Sequence, residues 1–333
     1  MNKTVTMSDI AKDMGISTVS VSKAISGKDG VSDELREKIL KRARELGYQY
    51  SKNKVGQTTD SKTIGVLVAA KFINDEAFYS KMYQNIVMEL TKADNYGMME
   101  IIPRGSVKKG IPPIVLQNNK VDGLILLGHL PAKYIKQIQE YHLPMVCLDF
   151  YDDRIKEDSV ISDNIYGACQ ITRYLIDQGH TQIGFIGSYH QTSSIMDRYI
   201  GYYKAMVQED LPVHKEWILE DRDEDGKYID IQFPAQMPTA FVCNCDDVAF
   251  NVIKSLKKQG YHVPEDISIV GFDNSIHAEL SSPKITTFDV NVDSMVKNAV
   301  DIILRKVDDP EYTVGRVIVT GNMVERKSVN AVG

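Results

Sequence analysis

The sequence predicts a small all-α domain followed by a larger α/β body built from two parallel-sheet subdomains. Three observations lead there. A chain of 333 residues is long enough for about two domains, at roughly 150 residues each. The first fifty residues place apolar side chains at helical spacing, punctuated by glycine. From Thr63 onward, short apolar runs alternate with helical stretches, the pattern that parallel sheets require. With 43% hydrophobic and 25% charged residues, composition excludes a disordered or collagen-like chain.

In the amino-terminal domain, Thr6 followed three residues later by Asp9 has the form of a capping box, and Met7, Ile10, Ala11 and Met14 make one helical stripe. Gly15 breaks that helix. Ser17 can cap a second, whose apolar positions are Val21, Ala24 and Ile25. Gly27 and Gly30 end it, and Ser32 caps a third helix with Asp33 and Glu34 at its positive end. Leu35, Ile39, Ala43 and Leu46 form the buried stripe of that helix before Gly47.

Charge separates the two parts. Residues 1–60 hold eleven Lys/Arg against eight Asp/Glu, whereas residues 61–333 hold twenty-eight against thirty-seven, so a net charge of -6 divides into +3 and -9. A basic front on an acidic body suits contact with a polyanion through the front alone, although a solvated basic helix would carry the same charge. The face of the second helix opposite its core stripe adds to this reading. It presents Thr18, Val19, Ser22, Lys23 and Ser26, short hydroxyls with one cation and one valine, which suits base edges, phosphates and a thymine methyl in a major groove.

The segment TMSDIAKDMGISTVSVSKAISGKDGVSDELREKILKRARELGY resembles the helix-turn-helix signature of the LacI family of bacterial transcription regulators. That resemblance implies a DNA-binding domain over residues 1–48. It places Thr18, Val19, Ser22 and Lys23 on the recognition helix and Thr6, Ser17 and Ser20 at phosphate-holding helix starts. Lys23 stands where the family often has Arg. Residues 49–62, QYSKNKVGQTTDSK, read as a flexible connector, where the family has a hinge helix that orders on operator DNA and wedges a leucine into the minor groove. No leucine or alanine run is present, Gly56 disfavours helix by about 1 kcal/mol relative to Ala, and Val55 is the nearest substitute for the wedge.

In the body, the expected strands are TIGVLVAA, MMEII, VDGLILLG, PMVCLDF, TQIGFIG, TAFVCNC, DISIVGFDN, ITTFDV and GRVIVTG, with one more behind Trp217. Helices are expected at Phe78 to Tyr96, Tyr166 to Gln178, Asp246 to Gln259 and Ser294 to Lys306. About ten strands exceed one small sheet, which implies two subdomains with a cleft between them. GACQITRYLIDQGHTQIGFIG, DDVAFNVIKSLKKQGYHVPEDISIVGFDN and GNMVERKSV extend the family resemblance over nearly the whole chain. They imply a periplasmic-binding-protein-like domain over 63–333 for effector binding and dimerisation. Its chain is expected to cross near Ile161, Val290 and Thr320, giving one subdomain of about 63–161 plus 291–319 and another of about 162–290 plus 320–333. Residues 220–238 depart from the family, because DRDEDGKYIDIQFPAQMP lacks the helical spacing usual there.

Ligands of open α/β sheets bind beyond the carboxyl ends of strands. There the sequence places Asp149, Asp246 and Asp273, with Ser194 and Arg198 four residues apart beyond TQIGFIG. Carboxylates, a guanidinium and hydroxyls are what polyols require, and Phe78 and Tyr79 could stack on a pyranose face. The resemblance assigns Arg198, Ser194, Asp273, Phe78 and Tyr79 to effector-contacting positions. It puts Cys245 where relatives often have Asn, Ser or Thr. For Asp149 and Asp246, capping a helix or turn stands beside ligand contact. Trp217 reads as core, and His129, His180 and His277 show no metal-ligand spacing.

Three classes of function compete for this sequence. A transcription regulator fits every feature: a homodimer on a pseudo-palindromic operator in double-stranded DNA, a repressor of carbohydrate uptake or catabolism genes, controlled by a mono- or oligosaccharide in the cleft. Co-repression by a purine or other metabolite is the alternative, since the family fold also receives bases and nucleosides. A solute-binding protein is disfavoured by the helical head and the absence of a signal peptide, which with the short apolar runs implies a cytoplasmic protein with no membrane contact. For an enzyme, no P-loop, GxSxG, HExxH or helix-opening GxGxxG is found, and neither a cofactor nor a metal is implied. Cys147, Cys169, Cys243 and Cys245 lie in apolar segments without CxxC pairing and read as buried reduced thiols.

Overall fold

A computed structural model describes residues 6–25, 30–46, 61–73, 77–117 and 120–332. The chain divides into two compact units, residues 1–60 and 61–333. In the first, α1 (Met7–Met14), α2 (Thr18–Ile25) and α3 (Asp33–Glu45) pack around Ile10, Val21, Ala24, Ile39 and Ala43. Both sides of the capping box form at α1: the Asp9 amide donates to Thr6 Oγ1 and the Thr6 amide donates to Asp9 Oδ2. Gly15 ends α1 in the left-handed region at φ 65°, and Ser17 accepts from the Ser20 amide at 3.0 Å to start α2. An ion pair between Arg42 and Asp13 ties α3 back to α1.

The second unit contains two six-stranded sheets. The first is ordered β11-β5-β4-β3-β1-β2, from β1 (Thr63–Ala69), β2 (Tyr96–Ile102), β3 (Gly123–Leu127), β4 (Met145–Leu148), β5 (Asp158–Ser162) and β11 (Arg316–Val319). The other is ordered β12-β10-β9-β8-β6-β7, from β6 (Ile183–Ile186), β7 (Ile218–Leu219), β8 (Ala240–Cys243), β9 (Ser268–Asp273), β10 (Thr286–Asp289) and β12 (Asn322–Val324). All strand pairs are parallel except β10 with β12. Helices cover the sheets, as parallel strands buried on both faces demand: α4 (Ala77–Lys92), α5 (Arg104–Lys109), α6 (Ile114–Gln117), α7 (Ala132–Gln139), α8 (Asn164–Asp177), α9 (Ser193–Gln208), α10 (Asp246–Lys258), α11 (Ile276–Leu280) and α12 (Val292–Asp308). The chain passes from one sheet to the other after β5, after β10 and between β11 and β12.

Several details differ from the sequence expectation. The helix expected to run to Tyr96 ends at Lys92, because Asp94 turns the chain at φ 56° and Tyr96 already belongs to β2. Two strands exceed the ten expected. One is β5, whose Asp158 is buried yet fully engaged: Lys306 Nζ lies 2.9 Å from Oδ2, and Thr313 Oγ1 and the Val314 and Gly315 amides donate to Oδ1. The other is β12, only three residues long. Residues 220–238 form no helix. They carry a turn at Asp223–Gly226 closed by an Arg222–Tyr228 bridge, with the Arg222 guanidinium 4.8 Å over the Tyr228 ring. Trp217 is core, 2% exposed, and its Nε1 donates to the Gln236 carbonyl. The four cysteines are buried.

Candidate functional site

In the helical unit, α2 turns Val21 and Ala24 into the core, which leaves Thr18, Val19 and Ser22 exposed and Lys23 partly so. Val19 is 64% exposed on this face. Ser17 and Ser20 share a hydroxyl contact of 2.8 Å at the helix start, and Thr6 stands at the start of α1. Arg36 holds the far end of α2 by donating to the Lys23 and Ala24 carbonyls. Ser26 and Val55 lie outside the described residues.

In the α/β unit, a cavity of about 430 Å³, counting its open mouth, lies where the carboxyl ends of both sheets meet. Phe72 on the turn after β1, Phe78 and Tyr79 at the start of α4, and Asp149 after β4 come from one subdomain. Thr192, Ser194, Ile195 and Arg198 around the start of α9, Arg222 after β7, Asn244 and Cys245 after β8, Asp247 on α10 and Asp273 at the end of β9 come from the other. Seven of the eight effector positions read from the sequence therefore share this cavity: Phe78, Tyr79, Asp149, Ser194, Arg198, Cys245 and Asp273.

Asp246 is set apart. It is fully buried behind the cavity, where its Oδ2 accepts from the Ser275 amide at 2.7 Å and pins α10 to the turn before α11. Burial, reinforced by the negative charge of Asp273, pushes its carboxyl well above the usual range. The neighbouring Asp247 faces the cavity instead and is hydrogen-bonded to His277 Nδ1. Sequence reasoning also missed Arg222, three residues beyond β7, and Asn244, which follows β8 directly as Asp149 follows β4.

Arg198 organises the cavity floor. The residue is 5% exposed; Nη2 lies 2.9 Å from Asp273, Nε donates to Asn164 Oδ1 and Nη1 donates to the Asn244 carbonyl at 2.6 Å. The guanidinium also stacks 3.9 Å over the Phe272 ring. Asp149 and Asp273 have left-handed backbones, φ 67° and 99°, strain of the kind that accumulates at binding sites. Tyr79 donates to Asp149 Oδ2 at 2.8 Å, while Oδ1 is buried without a hydrogen-bond partner among the described residues. Burial raises the Asp149 carboxyl to about 6 against the opposing pull of Arg198 and Tyr79, and burial likewise raises Asp273.

Beside the cavity the subdomains are bridged. The Tyr151 amide donates to Ser193 Oγ, its hydroxyl donates to Asp197 Oδ1 at 2.9 Å, and Arg316 stacks 3.4 Å over its ring. Lys108 and Asp225 form an exposed ion pair at 3.1 Å between α5 and the 223–226 turn. His180 plays no part here: its ring bonds Thr239, Ser268 and the Asn330 carbonyl. His129 is half-buried, and loss of solvent around its ring lowers it to about 4.

A three-helix unit with an exposed, hydroxyl-rich second helix, and a two-sheet body enclosing a polar cavity, together define the class of DNA-binding regulators with a binding-protein-like body. Comparison with known proteins agrees. Residues 6–51 match the bacterial regulatory proteins of the lacI family, and residues 172–329 match the periplasmic binding protein-like domain. The chain is 29% identical over 315 residues to the HTH-type transcriptional repressor PurR of Vibrio campbellii, covering 92% of this chain and 93% of that one. It is 28% identical over 331 residues to the ribose operon repressor of Haemophilus influenzae, covering 97% and 98%. In fold it is similar to the transcriptional regulator CelR in complex with cellobiose, with TM-score 0.70 and 21% identity over 97% of this chain and 99% of that one. The chain thus carries a lacI-family DNA-binding domain and a periplasmic-binding-protein-like domain, and the relatives it resembles over nearly its whole length are transcriptional repressors rather than enzymes. No described helix is long and apolar enough to cross a membrane.

Proposed function

We propose that this protein is a cytoplasmic repressor of carbohydrate uptake or catabolism genes, released from its operator or bound to it according to a small sugar in the cavity. The observation that carries this reading is the cavity itself, where carboxylates, a guanidinium, hydroxyls and an aromatic wall converge from both subdomains. A ligand touching both sides favours one subdomain arrangement over the other. Its differential affinity is the coupling free energy, and DNA alters ligand affinity by the same factor. The same wall of Phe72, Phe78 and Tyr79 would also stack on a planar base, which supports a purine as the second candidate.

In this reading residues 1–48 form the DNA-binding domain, 49–62 the hinge and 63–333 the effector and dimerisation domain. Thr6, Ser17, Thr18, Val19, Ser20, Ser22 and Lys23 face DNA, with Ser26 and Val55 completing the set. Two copies would read two half-sites of a pseudo-palindrome. Support for the homodimer comes from β2, the edge strand of its sheet, where Tyr96, Met98 and Ile101 are exposed beside Ile111 and Ile114. An edge strand with so much apolar surface invites a partner. The test is fluorescence anisotropy on DNA from upstream of the protein's own gene, with mono- and disaccharides and then purines added singly. A sugar that shifts the binding midpoint is expected; a midpoint moved only by purines would replace the sugar reading, and no binding at low salt would overturn the operator assignment.

A further inference from the structure

Every cation lining the cavity is already neutralised. Arg198 is held against Asp273 and Arg222 lies 3.4 Å from Asp221, which is itself buried. Against these two guanidiniums stand three lining carboxylates, Asp149, Asp247 and Asp273. One of them, Asp149, keeps a buried Oδ1 with no hydrogen-bond partner among the described residues. That oxygen can accept a hydrogen bond and repels another anion. It sits beside Tyr79, whose ring packs against Phe72 at 4.9 Å and Phe78 at 5.3 Å, faces that also attract a cation. Two further cations, Lys81 and Arg326, line a separate cavity on the far side of Phe78 and Asp273. There Arg326 is engaged by Glu279 and Asn274.

From this charge arrangement we infer that the cavity selects effectors that are uncharged or carry an ammonium group and donate to Asp149, and that it rejects those bearing phosphate or carboxylate. The inference rests on the proposed effector role of the cavity and adds the charge class of the ligand. A phosphate inside would face three carboxylates with no uncommitted lining cation among the described residues to receive it. In a poorly screened site this costs on the order of 100-fold in affinity. Asp149 is itself buried with Oδ1 unpartnered among the described residues, so a second negative charge beside it would have little solvent to screen it.

The test uses the full-length protein and calorimetric titration at pH 7.5 with matched probes: D-glucose, D-glucosamine and D-glucose 6-phosphate; D-ribose and D-ribose 5-phosphate; adenosine and AMP. In whichever set binds, the phosphorylated member is expected to bind about 100-fold more weakly than its parent. Asp149→Asn is expected to weaken the parent and shrink that ratio to tenfold or less. The wild-type ratio decides the matter even if the variant does not fold. A phosphorylated probe that binds as tightly as its parent overturns the inference while leaving the cavity an effector site. Tight binding abolished by Lys81→Ala overturns it too, and moves recognition to the outer cavity. If operator DNA binds and no probe does, the sugar-or-purine reading fails and takes this inference with it.

Discussion

Replacing Arg198 by methionine keeps most of the side-chain volume and removes one buried charge. In the native protein the guanidinium neutralises Asp273, satisfies Asn164 and the Asn244 carbonyl, and covers the Phe272 ring. Without it Asp273 is left as an uncompensated, largely buried carboxylate, and breaking one side of such a pair costs about 3–5 kcal/mol. For a unit of this size that corresponds to a fall in Tm of about 6–20 °C. The second variant, Asp273→Asn on the Arg198→Met background, removes the stranded charge and should recover more than half of the loss, giving a coupling energy well above 1 kcal/mol. Thermal unfolding followed by fluorescence of Trp217, buried in the same unit, provides the assay. An Arg198→Met protein within 1 kcal/mol of wild type, or a double variant that simply adds the two losses, would refute the view that this pair organises the cavity.

Three other perturbations separate the parts of the molecule. Asp149→Asn should stabilise the ligand-free protein: the folded carboxyl is raised from 3.8 to about 6 by burial, so the aspartate contributes its full stability below pH 4, loses it between pH 4 and 6, and by pH 7 the asparagine variant should lead by roughly 2–3 kcal/mol. Urea unfolding across pH 4–7 measures it, and a constant difference would count against the assignment. Gly201→Ala should destabilise by about 1–3 kcal/mol, because a Cβ there would lie 2.4 Å from the Ile165 carbonyl oxygen where α9 crosses α8; in an open helix the same change would stabilise by up to about 1 kcal/mol. Lys23→Ala should weaken operator binding and reduce its salt slope by about one if Lys23 holds a phosphate, while ligand affinity of the DNA-free protein stays the same by calorimetry.

Periodicity and punctuation made the helical unit legible: the capping box at Thr6, Gly15 and the stripes through Val21 and Ile39 are all local signals, carried by a few consecutive residues. The alternation of strands and helices in the body, and the rule that ligands lie beyond strand ends, likewise brought Asp149, Arg198 and Asp273 forward. What eluded that reading depends on partners far along the chain. Strand β5 begins with a polar residue, and Asp158 is tolerated inside only because Lys306, 148 positions later, reaches it. Arg222 enters the cavity from a segment with no periodicity, placed by its contacts with Asp221 and Tyr228.

The sequence by itself determined the order of elements, the division into a basic helical head and an acidic α/β body, and the candidates at the strand ends, because short-range sterics and burial periodicity act over a few residues. Only the tertiary structure decided which candidates meet. Asp246 and Asp247 are adjacent at the start of α10, about 100° apart around its axis, so one is sealed against the turn before α11 while the other faces the cavity. That outcome is set by the packing of α10 on β9 and α11, and no local pattern carries it.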